Sequence, residues 1–444
     1  MSKWYERGIF YHIYPLGLVG APKENRETSV TDRFGELCEW IPHIRSLGCT
    51  AVYIGPLFES SGHGYDTRDY RMVDRRLGDK RGFQNFVFQC HEAGIKVVVD
   101  GVFNHTGREF WAFQDIVNNR ENSSYRDWYR GVDFGRTSPP GDPFGYEAWQ
   151  GHYELPCLNL FNPQVRQYLF DTVQFWIDAF DIDGIRLDCA NVLDFGFMKE
   201  LREKTGGMKE DFWLMGEVIH GEYGRWVNRD ILHSVTNYEL HKSIYSGHND
   251  HNYFEIAHNV KRLEAIGLQL YTFVDNHDED RIASKLRDPE HLYPVYTVLF
   301  TLPGIPSIYY GSEFGLQGKR SPWDDGELRP RIASSEIERL SGPLTEFIRK
   351  LGQIHGENPE FHVGKYQELL LTNRQYAFAR IYEGHAIITA VNNDEKDAYL
   401  SISCPSKGNI GVDLLSGASF PVRDLKIEVT VPANRGVILK IMEG

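Results

Sequence analysis

Short apolar runs alternate with amphipathic helical segments from residue 9 to residue 355 of this 444-residue chain. Some runs, such as Val97-Val98-Val99, are apolar without alternation, which is typical of parallel strands buried on both faces. The segments between the runs repeat apolar side chains at three-to-four spacing, as amphipathic helices do. Strand and helix units repeated this often predict an α/β fold, a (β/α)8 TIM barrel, rather than an open sheet. The predicted strands lie at residues 9–14, 49–54, 95–103, 183–190, 213–217, 270–274 and 305–310.

Two regions depart from this pattern. Residues 106–161 are rich in Gly, Pro, Tyr and Trp and lack a period, and they are too long for an ordinary connection, so they predict a functional insertion after the third strand. Beyond residue 357 the apolar period becomes two, with turn signals between the runs, which predicts an antiparallel β-sandwich. The expected division is a barrel (1–105 and 162–357), an inserted domain (106–161) and a C-terminal β-sandwich domain (358–444).

The amino-acid composition indicates which kinds of partner and which compartment suit the protein. With 48 basic and 62 acidic residues the net charge is -14, which argues against nucleic acid or an anionic membrane and suits a neutral substrate. The sequence has no apolar run of membrane-spanning length and no signal-peptide pattern at its start. The six cysteines show no C-x-x-C spacing and predict buried thiols in a reducing compartment. We therefore expect a cytoplasmic protein, and its oligomeric state stays open.

Polar side chains follow the carboxyl ends of several predicted strands, the catalytic face of such a barrel. In the stretch 183–190, alternation places Arg186 and Asp188 on one face and Ile185, Leu187 and Cys189 on the other. Taken alone, this pair fits a structural ion pair as well as a nucleophile that an adjacent cation keeps ionised. Other strands agree, since they end in Asp100 with Asn104 and His105, in Glu217, and in Asn276-His277-Asp278.

These segments resemble the four ordered signature regions of the α-amylase family, glycoside hydrolase family thirteen. They are Asp100-Gly-Val-Phe-Asn-His105, Gly184-Ile-Arg-Leu-Asp188, Gly216-Glu217 and Phe273-Val-Asp-Asn-His-Asp278, and Leu155-Pro-Cys-Leu-Asn159 resembles the fifth region. The resemblance implies that Asp188 is the nucleophile, Glu217 the general acid/base and Asp278 the stabiliser of the transition state in a retaining reaction. It also implies that His105 and His277 hydrogen-bond sugar hydroxyls.

Further substrate contacts are expected from the same resemblance. The segment Gly64-Tyr65-Asp66-Thr67 is similar to a loop whose tyrosine stacks on the sugar, so Tyr65 and Asp66 are expected to bind substrate. Arg281 is expected either in the same pocket or in an ion pair at a helix start. The loop 315–324 looks shortened relative to the family, and Arg320 or Lys319 is expected to supply its outer sugar contact.

Finer features resemble the cyclomaltodextrinase, neopullulanase and maltogenic amylase group. Ala190 and Asn191 stand where secreted α-amylases carry Lys-His, which disfavours those enzymes. The sequence begins close to the barrel, without the N-terminal domain that joins two subunits in this group, so dimerisation by that route is not assumed. Ile219 stands where the group often has Trp, so tolerance of α-1,6 branches is not assumed either, and Cys157 replaces a usually polar residue.

Three functions stay open. The leading one is a retaining hydrolase of α-1,4-linked maltooligosaccharides or cyclodextrins. The second is a glucanotransferase, because a sugar hydroxyl can replace water in taking the covalent intermediate. The third, an inactive glycan-binding member, is disfavoured because all three carboxylates are present. Asn104 matches a calcium ligand of many members, but no loop is dense in Asp and Asn. No cofactor is required and no obligatory metal is expected, while a structural calcium ion stays possible.

Overall fold

The computed structural model describes residues 3–321 and 324–443. Eight parallel strands form its first sheet in the order β6-β5-β4-β3-β2-β1-β8-β7. A parallel bridge between Thr236, just after β6, and Tyr271 in β7 closes this sheet into a barrel, which confirms the predicted (β/α)8 fold. The strands are β1 Phe10–Ile13, β2 Ala51–Ile54, β3 Lys96–Gly101, β4 Gly184–Leu187, β5 Trp213–Gly216, β6 Ser234–Val235, β7 Tyr271–Phe273 and β8 Ile305–Tyr309.

Helices surround the barrel. Pro163 begins the longest of them, and the side chain of Asn162 caps it by accepting a hydrogen bond from the Gln164 amide at 2.8 Å. Two shorter helices, Phe34–Glu39 and Ile41–Ser46, meet at Trp40, two residues before Pro42. The α-helices are Pro15–Leu18, Phe34–Glu39, Ile41–Ser46, Lys80–Glu92, Trp111–Asn119, Pro163–Phe180, Phe195–Met208, Tyr238–Asn249, Tyr253–Arg262, Ile282–Lys285, Leu292–Thr301, Ile337–Leu340, Pro343–Glu357 and Pro359–Val363.

The amino end of the barrel is filled with apolar side chains. Phe10, Trp213, Tyr271 and Ile305 each stand at the first position of their strand and belong to one buried cluster. A 3-10 helix, Trp4–Arg7, packs Trp4 and Tyr5 against this cluster. Because apolar side chains fill this end, the side chains that can react with a substrate lie at the carboxyl ends of the strands.

Two hairpins extend from the carboxyl face. One follows β2 and pairs Phe58–Ser60 with Thr67–Val73. The other pairs Ala148–Trp149 with His152–Pro156 inside the segment 106–161, and a bridge between His105 and Cys157 joins that segment to the end of β3. The division of the chain at residues 105, 161 and 357 stays a prediction.

The C-terminal part is an eight-stranded sheet in which every neighbouring pair is antiparallel, in the order β9-β10-β11-β16-β13-β14-β15-β12. It folds over its own apolar core, as the predicted sandwich requires. No helix in the described part of the chain is both long and apolar enough to cross a membrane. The strands are β9 Lys365–Leu371, β10 Gln375–Tyr382, β11 His385–Asn392, β12 Ala398–Ser403, β13 Ile410–Asp413, β14 Ser419–Arg423, β15 Lys426–Val431 and β16 Arg435–Met442.

Candidate active site

The strand register brings the predicted carboxylates together at the carboxyl face. Asp100 in β3 is the direct partner of Arg186 in β4. Leu187 is paired with Gly216 in β5, so the next residues along these two strands, Asp188 and Glu217, also stand side by side. Parallel strands in register carry residues distant in sequence to one edge, and the strand-end pattern in the sequence therefore predicted this meeting.

Arg186 lies at the centre of the cluster and is 3% exposed. Its Nη1 is 2.9 Å from Asp100 Oδ1 and 2.8 Å from Asp188 Oδ1, and its Nη2 is 3.0 Å from Glu217 Oε1. One guanidinium cannot neutralise three buried carboxylates, so ionisation is opposed. Burial raises the pKa of Glu217, and the charges of Asp188 and Asp278 add to this rise while Arg186 opposes it. Burial also raises the pKa of Asp100.

Glu217 accepts two further hydrogen bonds that fix its orientation. The amide of Cys189 donates to Oε2 at 3.1 Å, and the hydroxyl of Tyr238 donates to Oε1 at 3.3 Å. Strand β4 ends at Leu187, and the backbone at Cys189 is left-handed, with φ of 48°. The thiol of Cys189 therefore lies 3.1 Å from Asp188 Oδ2, and the prediction that it shares a face with Ile185 and Leu187 was wrong.

Asp278 faces this group across the barrel mouth, and its side chain is 39% exposed. Nη2 of Arg329 lies 2.7 Å from its Oδ1, and Nε2 of His277 lies 3.1 Å from its Oδ2. Partial burial works against ionisation, but His277, Arg329 and the more distant Arg186 outweigh it and hold the pKa of Asp278 well below its usual range. Asp278 is thus a permanent negative charge, unlike Glu217.

Aromatic rings and two histidines line the space between these carboxylates. Tyr65 and Tyr14 both stack on the His277 ring, with centroids 5.7 Å and 5.8 Å away. Burial lowers the pKa of His105 to about 4, so its ring is neutral at pH 7. Nε2 of His105 and Nδ1 of His277 are buried without a hydrogen-bond partner in the described protein. Such unpaired nitrogens suit the hydroxyl groups of a bound sugar.

One of the predicted substrate contacts is wrong, and a second stays a prediction. Arg281 is fully buried, and its guanidinium donates to the carbonyls of Tyr310 and Leu328 at 2.9 Å each, so it faces neither the pocket nor an acidic partner. Asp66 is 7% exposed, and its Oδ1 accepts a hydrogen bond from the Gly64 amide at 3.2 Å. Asp66 therefore shapes the loop that carries Tyr65, and its contact with a sugar stays a prediction.

The loop after β8 supplies a cation that the sequence reasoning missed. Arg320 lies at a cavity rim, and its amide donates to Asp280 at 2.6 Å, while the Lys319 amide donates to Glu327 at 3.1 Å. The guanidinium that reaches Asp278 is that of Arg329. Arg329 lies five residues beyond the segment 315–324 that was singled out for sugar contacts, and this proximity was the available signal. Residues 322 and 323 of the loop lie outside the described residues.

A cavity of about 750 Å³ opens beside Arg329, within the size range of small-ligand sites. It is lined mainly by the loops after β1, β2 and β8, with Tyr14, His63 and Arg329 among its walls. Neither Glu217 nor Asp278 is part of this wall. The cavity is connected to the carboxylates through Arg329, which pairs with Asp278.

The cluster itself fits a calcium ion poorly. We looked among the described residues for three or more His, Cys, Asp or Glu side chains that are close enough to share an ion. The group found is Asp188, Cys189 and Glu217. One of its ligand atoms is a thiol, whereas calcium takes six or more oxygens, and Arg186 already pairs with both carboxylates. The side-chain amide of Asn104 lies 3.1 Å from Nδ1 of His105, so it orients that ring.

Comparison with known proteins agrees with this geometry. The family described as "Alpha amylase, catalytic domain" matches residues 27–342. A cyclomaltodextrinase of Thermoanaerobacter pseudethanolicus is 31% identical over 90% of this chain and 72% of its own length, and neopullulanase 2 of Thermoactinomyces vulgaris is 30% identical over 98% and 78%. The ligand-free structure of the cyclic α-maltosyl-(1→6)-maltose hydrolase from Arthrobacter globiformis superposes with a TM-score of 0.82 at 26% identity, covering 99% of both chains.

The family match covers well over half of the sequence and includes every strand from β2 to β8. Its limits also enclose the four carboxylates and Arg186. On this evidence the chain belongs to the α-amylase family of glycosidases.

Proposed function

We propose that this protein is a retaining glycoside hydrolase that cleaves α-1,4-glucosidic bonds of maltooligosaccharides or cyclodextrins. The observation that carries the proposal is the spacing of two carboxylates, since oxygens of Asp188 and Glu217 lie within 4.8 Å of one another. Retaining glycosidases hold their carboxyl groups about 5 to 5.5 Å apart, whereas inverting enzymes need about 6.5 to 9.5 Å to admit a water. The names of the relatives, cyclomaltodextrinase and neopullulanase, support the linkage and the substrates.

In the first step a carboxylate oxygen of Asp188 attacks the anomeric carbon while Glu217 gives its proton to the departing glycosidic oxygen. The raised pKa of Glu217 favours its protonated form, which a general acid requires. Arg186 pairs with Asp188 and holds its carboxylate in position. The products of this step are a covalent glycosyl ester on Asp188 and a free C4 hydroxyl on the departing sugar.

In the second step Glu217, now ionised, takes a proton from water, whose oxygen attacks the same carbon and releases Asp188. Both steps pass through a transition state with positive charge on the sugar ring. The permanent negative charge of Asp278 opposes that charge. His105 and His277 bind hydroxyl groups of the same sugar through their unpaired nitrogens, and Tyr65 packs against its face.

The proposal is tested with β-cyclodextrin, starch, pullulan and maltotriose assayed side by side, with products separated by chromatography. We expect glucose and maltose from maltotriose and linear fragments from the cyclic substrate. Proton NMR during the first minutes should show the α-anomer, because two inversions restore the configuration. Initial release of the β-anomer contradicts the retaining mechanism, and inertness toward all four substrates contradicts the proposed specificity.

A glucanotransferase is the second candidate, and exposed apolar side chains favour it. Val192 and Ile219 follow the Asp188 and Glu217 segments and are each 41% exposed. An apolar surface there holds a sugar acceptor in competition with water. With maltotriose at rising concentration, longer oligosaccharides as the main early product would support transfer and contradict the hydrolase.

We further propose that the reaction needs no metal ion and takes place in the cytoplasm. Arg186 occupies the centre of the carboxylate cluster, where it pairs with Asp100, Asp188 and Glu217. All six cysteines are buried and unpaired, as in proteins of reducing compartments. Turnover should survive dialysis against EDTA, and cell fractionation should recover the protein with cytoplasmic markers. Loss of activity that calcium restores, or recovery outside the cell, contradicts the respective proposal.

A further inference from the structure

Arg76 is a fully buried arginine in the turn after the hairpin strand Thr67–Val73. It lines the cavity beside Arg329 but makes no contact with the catalytic carboxylates. Asp74 holds its guanidinium through Oδ1 at 2.9 Å from Nε and Oδ2 at 2.7 Å from Nη2. Nη2 also donates to Ser60 Oγ at 2.7 Å, and the Nη1 donors are directed toward neighbouring loops.

These donors join two segments of backbone. Nη1 donates to the carbonyls of Pro22 at 2.9 Å and Lys23 at 3.1 Å, in the loop after β1. The same nitrogen donates to the carbonyl of Gly62 at 2.7 Å, in the loop after β2. A planar guanidinium with five fixed N–H groups can satisfy such a set of acceptors, whereas an ammonium group, with three donors on one atom, cannot.

Each joined segment carries one aromatic wall of the sugar site. Tyr14 precedes the first loop and Tyr65 lies in the second, and both rings stack on His277. The hydroxyl of Tyr14 also donates to the carbonyl of His63 at 2.6 Å, so the two loops are in direct contact. The spacing of these rings therefore depends on how closely the two backbones approach.

We propose that Arg76 is a positioning residue for sugar binding, which fixes the distance between the Tyr14 and Tyr65 walls by joining the loops after β1 and β2. The proposal rests on the hydrolase function proposed above. Misplacing substrate-binding groups by about 1 Å can cost two orders of magnitude in rate, so loss of the Arg76 hydrogen bonds to the two loops has a measurable effect. Since Arg76 does not touch Asp188 or Glu217, the effect falls on binding more than on chemistry.

Arg380 offers a matched control. It is also fully buried, and its guanidinium donates to the carbonyls of Thr301, Phe361 and Gly364 at 2.8 to 3.2 Å. It lies in β10, where the C-terminal sheet meets the barrel, away from the carboxyl face. A merely structural role for Arg76 predicts that replacing either arginine has the same consequences.

The test compares Arg76→Lys with Arg380→Lys in the full chain. We expect both variants to unfold at lower temperature than wild type, while only Arg76→Lys raises KM for maltotriose, by about tenfold with a smaller change in kcat. In Arg76→Ala, whose missing side chain opens into the cavity, low concentrations of guanidinium chloride should partly restore KM, and the same salt should not help Arg380→Lys. Equal KM in wild type and Arg76→Lys overturns the proposal, as does a change of KM shared by both lysine variants.

Hydrogen exchange gives a readout that does not depend on turnover. We expect Arg76→Lys to speed exchange in residues 14–24 and 60–66, and Arg380→Lys to leave those peptides unchanged. If wild type fails to hydrolyse any glucan, the proposed function is wrong, and exchange still decides the role of Arg76. Unaltered protection of both loops in Arg76→Lys overturns the proposal that Arg76 joins them.

Discussion

At the scale of single residues, the site works by giving carboxyl groups of the same kind different protonation states. Asp278 has its own cations, whereas Glu217 shares Arg186 with Asp100 and Asp188. Burial and nearby negative charge therefore raise the pKa of Glu217, while His277 and Arg329 lower that of Asp278. Titratable groups whose pKa values are pushed apart in this way are the usual acid and base assignments of an active site.

Maltosyl fluoride separates the proposed roles of Asp188 and Glu217, because fluoride leaves without a proton. For Glu217→Gln we expect kcat on maltotriose to fall by about 10² to 10⁴. The same variant should release one equivalent of fluoride quickly and then stall, because hydrolysis of the ester still needs a base. Asp188→Asn should release no burst, since it cannot form the ester. A fluoride burst in Asp188→Asn, or unchanged maltotriose turnover in either variant, contradicts the assignment.

The pH profile of the wild type tests the role of Glu217 in a second way. Maltotriose needs an acid to protonate its leaving group, whereas maltosyl fluoride does not. As pH rises through the raised pKa of Glu217, the acid loses its proton and kcat/KM for maltotriose falls. The release of the first fluoride from maltosyl fluoride should not show this alkaline decline. An alkaline decline of equal size for both substrates would assign it to another group.

Arg329 is expected to help keep Asp278 ionised at low pH. Removing its charge in Arg329→Gln raises the pKa of Asp278, so protonation of Asp278 begins at higher pH. Compared with wild type, the variant should lose about tenfold more activity at about pH 4 than at about pH 7. The matched control is Arg331→Gln. Arg331 lines the same cavity, but its guanidinium pairs with Glu36 and the Leu18 carbonyl. An equal pH dependence in the two variants contradicts this role.

The sequence predicted the residues on strands better than those on loops. Asp100, Arg186, Asp188 and Glu217 met because parallel strands in register have one possible alignment. Arg281 was misplaced because a buried guanidinium that serves backbone carbonyls has the same sequence appearance as one that serves a ligand. Loop conformation, which no periodicity encodes, decided between the two.

At the scale of elements, the amino end of the barrel is held by a charged tie between β3, β4 and two helices. Asp183, directly before β4, is 2% exposed. Its carboxylate lies 2.7 Å from His91 Nε2, 2.9 Å from Lys96 Nζ and 3.1 Å from Lys209 Nζ. Burial opposes its ionisation, but these partners outweigh burial and hold the pKa of Asp183 well below its usual range.

This tie predicts a stability that depends on pH. Because the folded pKa of Asp183 is depressed, its contribution is complete above the ordinary value of 3.8 and declines as pH falls below it. Asp183→Asn should lower the free energy of unfolding by about 2 kcal/mol near neutral pH, less than for a fully buried pair because the lysines are partly exposed. The difference from wild type, measured by urea unfolding, should shrink at about pH 3. Asp171→Asn, on an exposed helix face, is the control, and a difference that grows on acidification contradicts the tie.

Element prediction failed where a strand was too short to carry a period. Strand β6 has two residues, Ser234 and Val235, and takes its place in the barrel through neighbours on both sides. The longer runs were found, although most of their ends were placed up to three residues too far out, as at Cys189. Tertiary pairing, not local propensity, therefore defines the last strand of the barrel.

At the scale of the whole molecule, the barrel and the C-terminal sheet share one apolar core. Tyr376, Phe378 and Ile438 of the sheet belong to the same buried cluster as the helices around the barrel. The Tyr376 ring lies 5.9 Å from that of Tyr253 in a barrel helix, and its hydroxyl is 2.6 Å from that of Tyr366. The change of period near residue 357 announced a second sheet, but it could not show that the two parts share a core.

A shared core predicts that the two parts unfold together. Tyr376→Ala removes a fully buried ring from the junction, which should cost about 4 kcal/mol. For a chain of this length, that loss corresponds to a fall of about 4 °C in Tm. Calorimetry of the variant should show one endotherm shifted as a whole, with KM for maltotriose unchanged because the junction is far from the carboxyl face.

Tyr399→Ala provides the comparison, since Tyr399 lies in β12 of the same sheet with 67% of its surface exposed. Its Tm should stay within about 1 °C of wild type, as for surface substitutions in general. Two endotherms in Tyr376→Ala, with only one displaced, would mean that the sheet and the barrel are energetically separate. A single displaced endotherm instead ties the stability of the catalytic barrel to side chains beyond residue 357, so substitutions in the C-terminal sheet can lower activity by unfolding the enzyme without altering its site.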